Sequence, residues 1–353
     1  MSEMIAAEPA LAERLIRRLA KDDAANALAS AIGDAVAAGR PIVTTGCGTS
    51  EHAAMAIAIL LNEALDLPAG REIRAVQALE TRHRPLADGL LVAVSHEGGT
   101  HATNEAIRSA HEAGARTALV TVGGGSPGAA LAEIVVRTEE QDRSWCHTVG
   151  YLSPLVVGIA VAARLQKKRL DAAAIRALLD VSEDAHGAAD MAAALAGTDR
   201  LVVVGSGADH VTARELALKV AEGARLATVA HELETILHGH LAAANRWTGL
   251  VLVLTEATPG VEERALRVLA AARTLGMSAA AIVAEPVHPE IPPSETPAGR
   301  IVLPRTGRVP TLAGSLLASA LALQLLTERL ARARNVNPDT LGREDPAQAA
   351  AHA

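Results

Sequence analysis

Three sets of residues in this chain have types and spacings that could do chemistry. Gly46-Cys47-Gly48-Thr49-Ser50 and Ser95-His96-Glu97-Gly98-Gly99-Thr100 each place hydroxyls at a glycine turn ahead of an expected helix. The free N–H groups and dipole of a helix N-terminus favour an anion, so the two turns together read as a cradle for a phosphate-like group. Neither turn completes GxGxxG or carries the lysine of a nucleotide P-loop, and dinucleotide or ATP binding is set aside on that ground. One such turn by itself would do no more than cap a helix. The second set is Glu215-Leu216-Ala217-Leu218-Lys219-Val220-Ala221-Glu222, where helical spacing brings Glu215, Lys219 and Glu222 onto neighbouring positions. Taken alone, the Lys219–Glu222 pair is an ordinary exposed helix pair. The third set, His231, His238 and His240, has no recognised metal-ligand spacing, and neither a metal nor a cofactor is expected.

The elements that must position these residues recur along the chain. The apolar run before Gly46 is answered by Leu201-Val202-Val203-Val204-Gly205-Ser206-Gly207 about 160 residues later. Gly89 to Ser95 likewise answers to Gly249 to Thr255, and Ala115 to Val122 to Met277 to Ala284. Strand and helix alternate, which predicts an α/β chain with two doubly wound parallel sheets, because parallel strands need helical crossovers. The expected organisation is N-terminal helices over 1–40, a first domain over 41–168 and a linking helix over 169–198. A second domain over 199–332 and a tail over 333–353 complete it. The apolar stretches Val149 to Leu165 and Leu312 to Leu326 read as buried helices, too short to span a membrane.

Composition narrows the classes of function. The chain has 353 residues, half of them apolar, with no Phe, one Tyr and two Trp. A net charge of -7 and so few aromatics argue against nucleic acid as a partner. Only Cys47 and Cys146 are present, so no disulfide framework is available and a reducing, cytoplasmic setting is expected. The first residues lack the basic and apolar regions of a signal peptide.

The order and spacing of Met4 to Pro9, Cys47 to Ser50, Ser95 to Thr100, Glu215 to Glu222, Leu237-His238-Gly239 and the Pro-containing tail resemble proteins with tandem sugar isomerase (SIS) domains. That family includes the isomerase half of the glucosamine-6-phosphate synthases and related sugar isomerases and deglycases. The resemblance implies two flavodoxin-like SIS domains, with Thr49, Ser50, Ser95 and Thr100 holding the anionic group of a sugar. It implies Glu222 as the proton-transferring carboxylate, Glu215 and Lys219 beside it, and His238 as the ring-opening residue. In that family the histidine comes from the neighbouring subunit, so a homodimer with shared active sites is implied. Glutamate and imidazole suit these tasks: burial raises a carboxylate toward working pH, and an imidazole donates and accepts near neutrality.

Three departures from the family pattern bear on the reaction. The chain opens Met1-Ser2, so the expectation is that it carries no glutaminase domain. Arg343 stands where aminotransferring relatives place a lysine; a guanidinium forms no imine with a ketose, which favours isomerisation over amino transfer. Glu97 replaces a serine in the anion loop. Either Glu97 turns away while His96 donates to the anion, or the anion is less charged, as in a 6-sulfonated sugar such as sulfoquinovose, or the loop reads hydroxyls or an amine. The expected function is an aldose–ketose isomerase of a hexose or amino-hexose 6-phosphate. The alternatives are an isomerase of a 6-sulfonated sugar, an amino-sugar-phosphate deaminase or fructosamine-6-phosphate deglycase, and a non-catalytic sugar-phosphate sensor.

Overall fold

The computed structural model describes residues 1–183, 187–256, 258 and 260–351. These form two compact units, one of residues 8–141 and 149–176, the other of 1–7, 142–148 and 177–353. The chain opens with α1 (Ser2–Leu19), whose first residues belong to the latter unit, and α2 (Asp23–Ala37). β1 (Ile42–Gly46), α3 (Thr49–Leu65), β2 (Arg74–Gln77), α4 (Ala78–His83), β3 (Leu90–Val94), α5 (His101–Glu112), β4 (Arg116–Thr121), β5 (Ile134–Arg137) and α6 (Val149–Leu165) follow. Then come α7 (Ala172–Glu183), α8 (Ala188–Leu195), β6 (Arg200–Gly205), α9 (Ala208–Ala224), β7 (Ala227–Glu232), α10 (Leu233–Leu237) and β8 (Thr248–Leu254). The chain ends with α11 (Val261–Thr274), β9 (Ser278–Ala284), β10 (Arg300–Leu303), α12 (Thr311–Ala333) and α13 (Pro346–Ala351).

Each unit is built on a five-stranded parallel sheet, and the two sheets share one topology. The first runs β2-β1-β3-β4-β5, the second β7-β6-β8-β9-β10, the doubly wound 2-1-3-4-5 order. Register repeats as well: the pairs Ile42–Leu90 and Thr45–Ala93 recur at one constant offset as Leu201–Gly249 and Val204–Leu252. This sets Gly249 at the position of Leu90, one residue from the Gly89 match expected from the sequence, because β8 starts earlier than β3. The central strands β1, β3 and β8 are buried at every residue, as strands covered on both faces must be. One core packs Val202, Leu252, Leu254, Val268 and Ile282's neighbours Ala281 and Val283; another packs Val43, Leu91, Ile107 and Leu119.

Several boundaries differ from the sequence expectation. The strands β2, β5 and β7 were not anticipated; all three lie at sheet edges, where exposure breaks the apolar run. The expected linking helix is two helices, α7 and α8, and its residues 184–186 lie outside the described residues, as do tail residues 352–353. The stretch Glu285 to Arg300 is a loop with two single-turn 3-10 segments, His288–Glu290 and Pro293–Glu295. α12 is longer than expected at 23 residues and is apolar enough by length and composition to cross a membrane, yet 83% of its most apolar window is buried inside the protein. It packs along α9 and α8.

Candidate active site

The glycine turns work the same way in both sheets. Gly48 and Gly207 precede α3 and α9 with φ of 57° in each, a left-handed value that glycine adopts without a Cβ penalty. Gly46 and Gly205 sit where a Cβ would strike the backbone of the following helix; at Gly46 it would lie 2.5 Å from the Ser50 carbonyl carbon. Both helices end at a left-handed residue, Asp66 and Arg225.

α9 carries a tight group of ionisable side chains. Lys219 Nζ lies 2.5 Å from Glu222 Oε2 and 3.6 Å from Glu215 Oε1. Glu215 is 0% exposed, Lys219 1% and Glu222 21%, so the reading of an exposed surface pair is overturned: the cluster is buried, with Glu222 alone reaching solvent. One ammonium cannot neutralise two carboxylates. Burial raises Glu222 above the usual carboxylate range, Lys219 pulls it back down, and Glu215 pushes it up again. Burial alone would lower Lys219, but Glu215 and Glu222 outweigh it and hold the ammonium well above the usual lysine range.

Two further segments close around the end of α9. Asp142 Oδ2 accepts from Thr148 N at 2.5 Å and Oδ1 from Ser144 N at 3.2 Å, which fixes the turn that carries Trp145 and Cys146. A Cβ on Gly223 would lie 2.9 Å from Thr327 Cγ2 of α12, 3.2 Å from Cys146 Sγ and 3.4 Å from Pro338 Cβ, so the glycine lets all three approach. The tail is ordered by contacts: Asp339 pairs with the N-terminal ammonium, Glu344 with Arg225, and Asp339 O accepts from Trp145 N at 3.2 Å. Arg343 stacks on the Trp145 ring at 3.8 Å from its centroid. Sequence reasoning missed Trp145 and the placement of Cys146 against α9; Trp145, one of only two tryptophans, was the available signal.

His238 stands apart from Glu222 in its contacts. It ends α10, 71% exposed, with Nε2 2.8 Å from Glu234 Oε1, and Glu234 also pairs with Arg264 at 2.7 Å. His231 and His240 face each other with ring centroids 4.0 Å apart and a 32° tilt, and burial holds His231 below the usual imidazole range.

In the other unit, the two hydroxyl-bearing turns sit at the carboxyl ends of β1 and β3. Thr49 and Ser95 are buried, Ser50 is half-buried, and Ser95 Oγ lies 3.5 Å from Thr100 Oγ1. Gly48 and Thr100 are the N-caps of α3 and α5, and neither helix is closed by a side-chain cap. The 95–100 loop is pinned: the His96 carbonyl accepts from Thr121 Oγ1 and Val122 N, each at 2.9 Å, and the Gly98 carbonyl from Gly128 N at 2.9 Å. Glu97 is exposed and accepts from Gln141 Nε2 at 3.0 Å. At the matching turn of the second sheet, Asp209 stands in place of Ser50, and Thr255 follows β8 as Ser95 follows β3. There the Asp209 carboxylate accepts from Thr255 N at 2.8 Å and Thr255 Oγ1 at 2.6 Å, so the protein's own carboxylate fills that cradle.

The repeated 2-1-3-4-5 sheets agree with the comparisons. Residues 37–164 match the SIS domain family. The SIS fold extends over nearly the whole chain in solved structures. The C-terminal domain of glucosamine-fructose-6-phosphate aminotransferase from Francisella tularensis superposes with a TM-score of 0.76 at 19% identity, covering 94% of this chain and 96% of that one. Tagatose-6-phosphate ketose/aldose isomerase from Escherichia coli superposes with a TM-score of 0.74 at 20% identity, covering 96% and 94%. By sequence, glutamine–fructose-6-phosphate aminotransferase [isomerizing] of Symbiobacterium thermophilum is 30% identical over 254 residues, 67% of this chain; the chain spans 41% of that relative's length.

Proposed function

We propose that this protein is an aldose–ketose isomerase of a sugar with a terminal anionic group, a hexose or amino-hexose 6-phosphate in the simplest case. The observation that carries the reading is the buried Glu215–Lys219–Glu222 cluster, in which Glu222 alone is reachable and has a raised proton affinity. A carboxylate tuned upward is suited to take a proton from carbon and return it near neutral pH. Glu222 takes the C2 proton of the open-chain aldose; the freed electron pair forms the C1=C2 bond while the carbonyl oxygen gains a proton. Loss of the O2 proton and return of the proton from Glu222 to C1 give the ketose. No electrons leave the sugar, so the step requires no redox cofactor.

The anion-holding role falls to Thr49, Ser50, Ser95 and Thr100, whose helices lack side-chain caps. Glu97 is exposed and accepts from Gln141, as expected if its carboxylate turns away from the anion site. His238, exposed and carrying its own carboxylate partner, suits ring opening in a neighbouring subunit of a homodimer. Arg343, stacked on Trp145, holds a place where imine chemistry has no amine to use. The test is NMR in deuterated water against a panel of sugar 6-phosphates, amino-sugar 6-phosphates and a 6-sulfonated glucose. An isomerase deuterates C2 of one of them; thermal stabilisation by a sugar without exchange would point to a sensor instead.

A further inference from the structure

The chain carries a net charge of -7, yet one cleft in the unit of residues 8–141 and 149–176 is strongly basic. Its volume is about 1310 Å³, and it lies where the ends of α1 and α6 meet the first half of α2 and the start of α7. Arg17 and Lys21 line it from the end of α1 and the turn beyond. Arg164, Lys167, Lys168 and Arg169 line it from the end of α6 and the turn that follows, and Asp171 is the one carboxylate among them. Two of these cations are already committed: Arg17 pairs with Glu13 at 2.6 Å, and Arg164 donates to Asn26 Oδ1 and to the Leu19 carbonyl. Asp171 accepts from Ala174 N at 3.0 Å at the start of α7. Lys21, Lys167, Lys168 and Arg169 are exposed, and among the described residues none of them pairs with a carboxylate. We propose that this cleft is a binding site for a small organic anion carrying two or more phosphate groups, separate from the hydroxyl-bearing turns, none of whose residues line it.

Helix-end electrostatics do not account for the unpaired cations. A cation in the last turn of a helix answers its free carbonyls and dipole. Here those carbonyls are largely taken: Lys167 N donates to Arg164 O at 2.9 Å and Lys168 N to Ala163 O at 2.8 Å, while the Arg164 side chain covers Leu19 O of α1. Lys168 and Arg169 lie past that closure. Lys167 sits at a φ of 55°, the left-handed position where a helix usually ends in glycine or asparagine. The turn therefore presents successive cations from a backbone fixed by hydrogen bonds. Like charges so placed repel one another, and a concave wall concentrates their field on whatever enters. A single phosphate has no use for four cations; two or more phosphates engage the lysines as point charges and Arg169 as a planar fork. Ile16, Leu19, Ala160 and Ala163 supply an apolar wall, and Asn26 and Ser30 polar groups, for the uncharged part of the ligand. A long nucleic acid or a membrane surface would meet the acidic balance of the rest of the chain.

The experiment is calorimetric titration of the whole chain with inorganic tripolyphosphate, paired with amide NMR to locate the bound anion. One-to-one binding is expected, with the largest shifts at Ala29, Ser30, Ala163 and Asp171. Replacing Lys167, Lys168 and Arg169 together by alanine should weaken binding by about tenfold or more, and Lys21→Ala alone by a smaller factor. All four side chains are exposed, so thermal melts of these variants should match the parent. Arg82→Ala combined with Arg84→Ala removes two exposed cations of the same unit outside the cleft and should change the affinity by no more than about twofold. Ser95→Ala, in the hydroxyl-bearing turn, should leave it equally unchanged. Absence of saturable binding, an equal loss in the Arg82 and Arg84 control, or a loss in Ser95→Ala would overturn the proposal. So would tighter binding to an RNA oligonucleotide or to phosphatidylglycerol vesicles than to tripolyphosphate. None of these readouts depends on the proton-transfer role given to Glu222.

Discussion

Lys219 and Glu222 meet at 2.5 Å, one turn apart on α9, with the lysine sealed in the protein and the carboxylate at the edge of solvent. That asymmetry separates the roles of the two groups. Lys219 serves as a fixed buried charge, and Glu222 is the member of the pair whose proton can be exchanged.

Removing Lys219 should take from Glu215 and Glu222 the ammonium that both carboxylates share. Lys219→Met is expected to cost roughly 3–5 kcal/mol of unfolding free energy, as loss of one partner of a buried ion pair does. Adding Glu215→Gln should recover part of that loss. Urea unfolding of the single and double variants checks this; a single variant as stable as the parent would mean that the cluster is neutral to begin with.

Asp209 gives a pH dependence with a definite sign. Burial raises it from 3.8 to about 6, although the Thr255 hydrogen bonds oppose the shift. A raised folded-state value means that its contribution is fully present below the unfolded value and is lost as pH climbs through about 6. Relative to Asp209→Asn, the parent protein should lose roughly 3 kcal/mol of stability between pH 4 and pH 7, at about 1.4 kcal/mol per unit. Parallel stability curves for the two proteins across that range would contradict the assignment.

Much of the fold was legible because both sheets announce themselves through the same apolar strands and glycine turns. Gly46, Gly48, Gly205 and Gly207 are where the backbone demands glycine, and the repeat follows them. The edge strands β2, β5 and β7 were hidden because exposed residues interrupt their apolar pattern. In the candidate site, spacing put Glu215, Lys219 and Glu222 on one helix but only as an exposed pair, and their role was implied by the family resemblance alone. Cys146 and Trp145 come from a distant segment held by Asp142, and no local pattern ties them to α9. Burial of Lys219 was equally invisible, since it depends on α9 being covered by α12.

The two glycine turns should respond alike to substitution. Gly46→Ala and Gly205→Ala both drive a Cβ into the backbone of the following helix. Each is expected to lower the thermal midpoint by several degrees, equivalent to about 2 kcal/mol or more. Thermal melts suffice to check it, and tolerance at one turn but not the other would show that the turns are not structurally equivalent.

Glu97→Ser bears on the anion loop. Because the Glu97 carboxylate is held by Gln141, its replacement should change phosphate-ester affinity by no more than about twofold, the range of an exposed charge. Calorimetric titration with a sugar 6-phosphate reads this out. A tenfold gain would mean that Glu97 repels the ligand and that a less charged anion is the natural one.

The most direct test of Glu222 as the proton-transferring base is C2 deuterium incorporation into a bound sugar 6-phosphate in deuterated water, compared between the parent protein and Glu222→Gln. Exchange in the parent, together with its loss in a variant that still binds the sugar, is the expected result. Exchange at the parental rate in Glu222→Gln would contradict it.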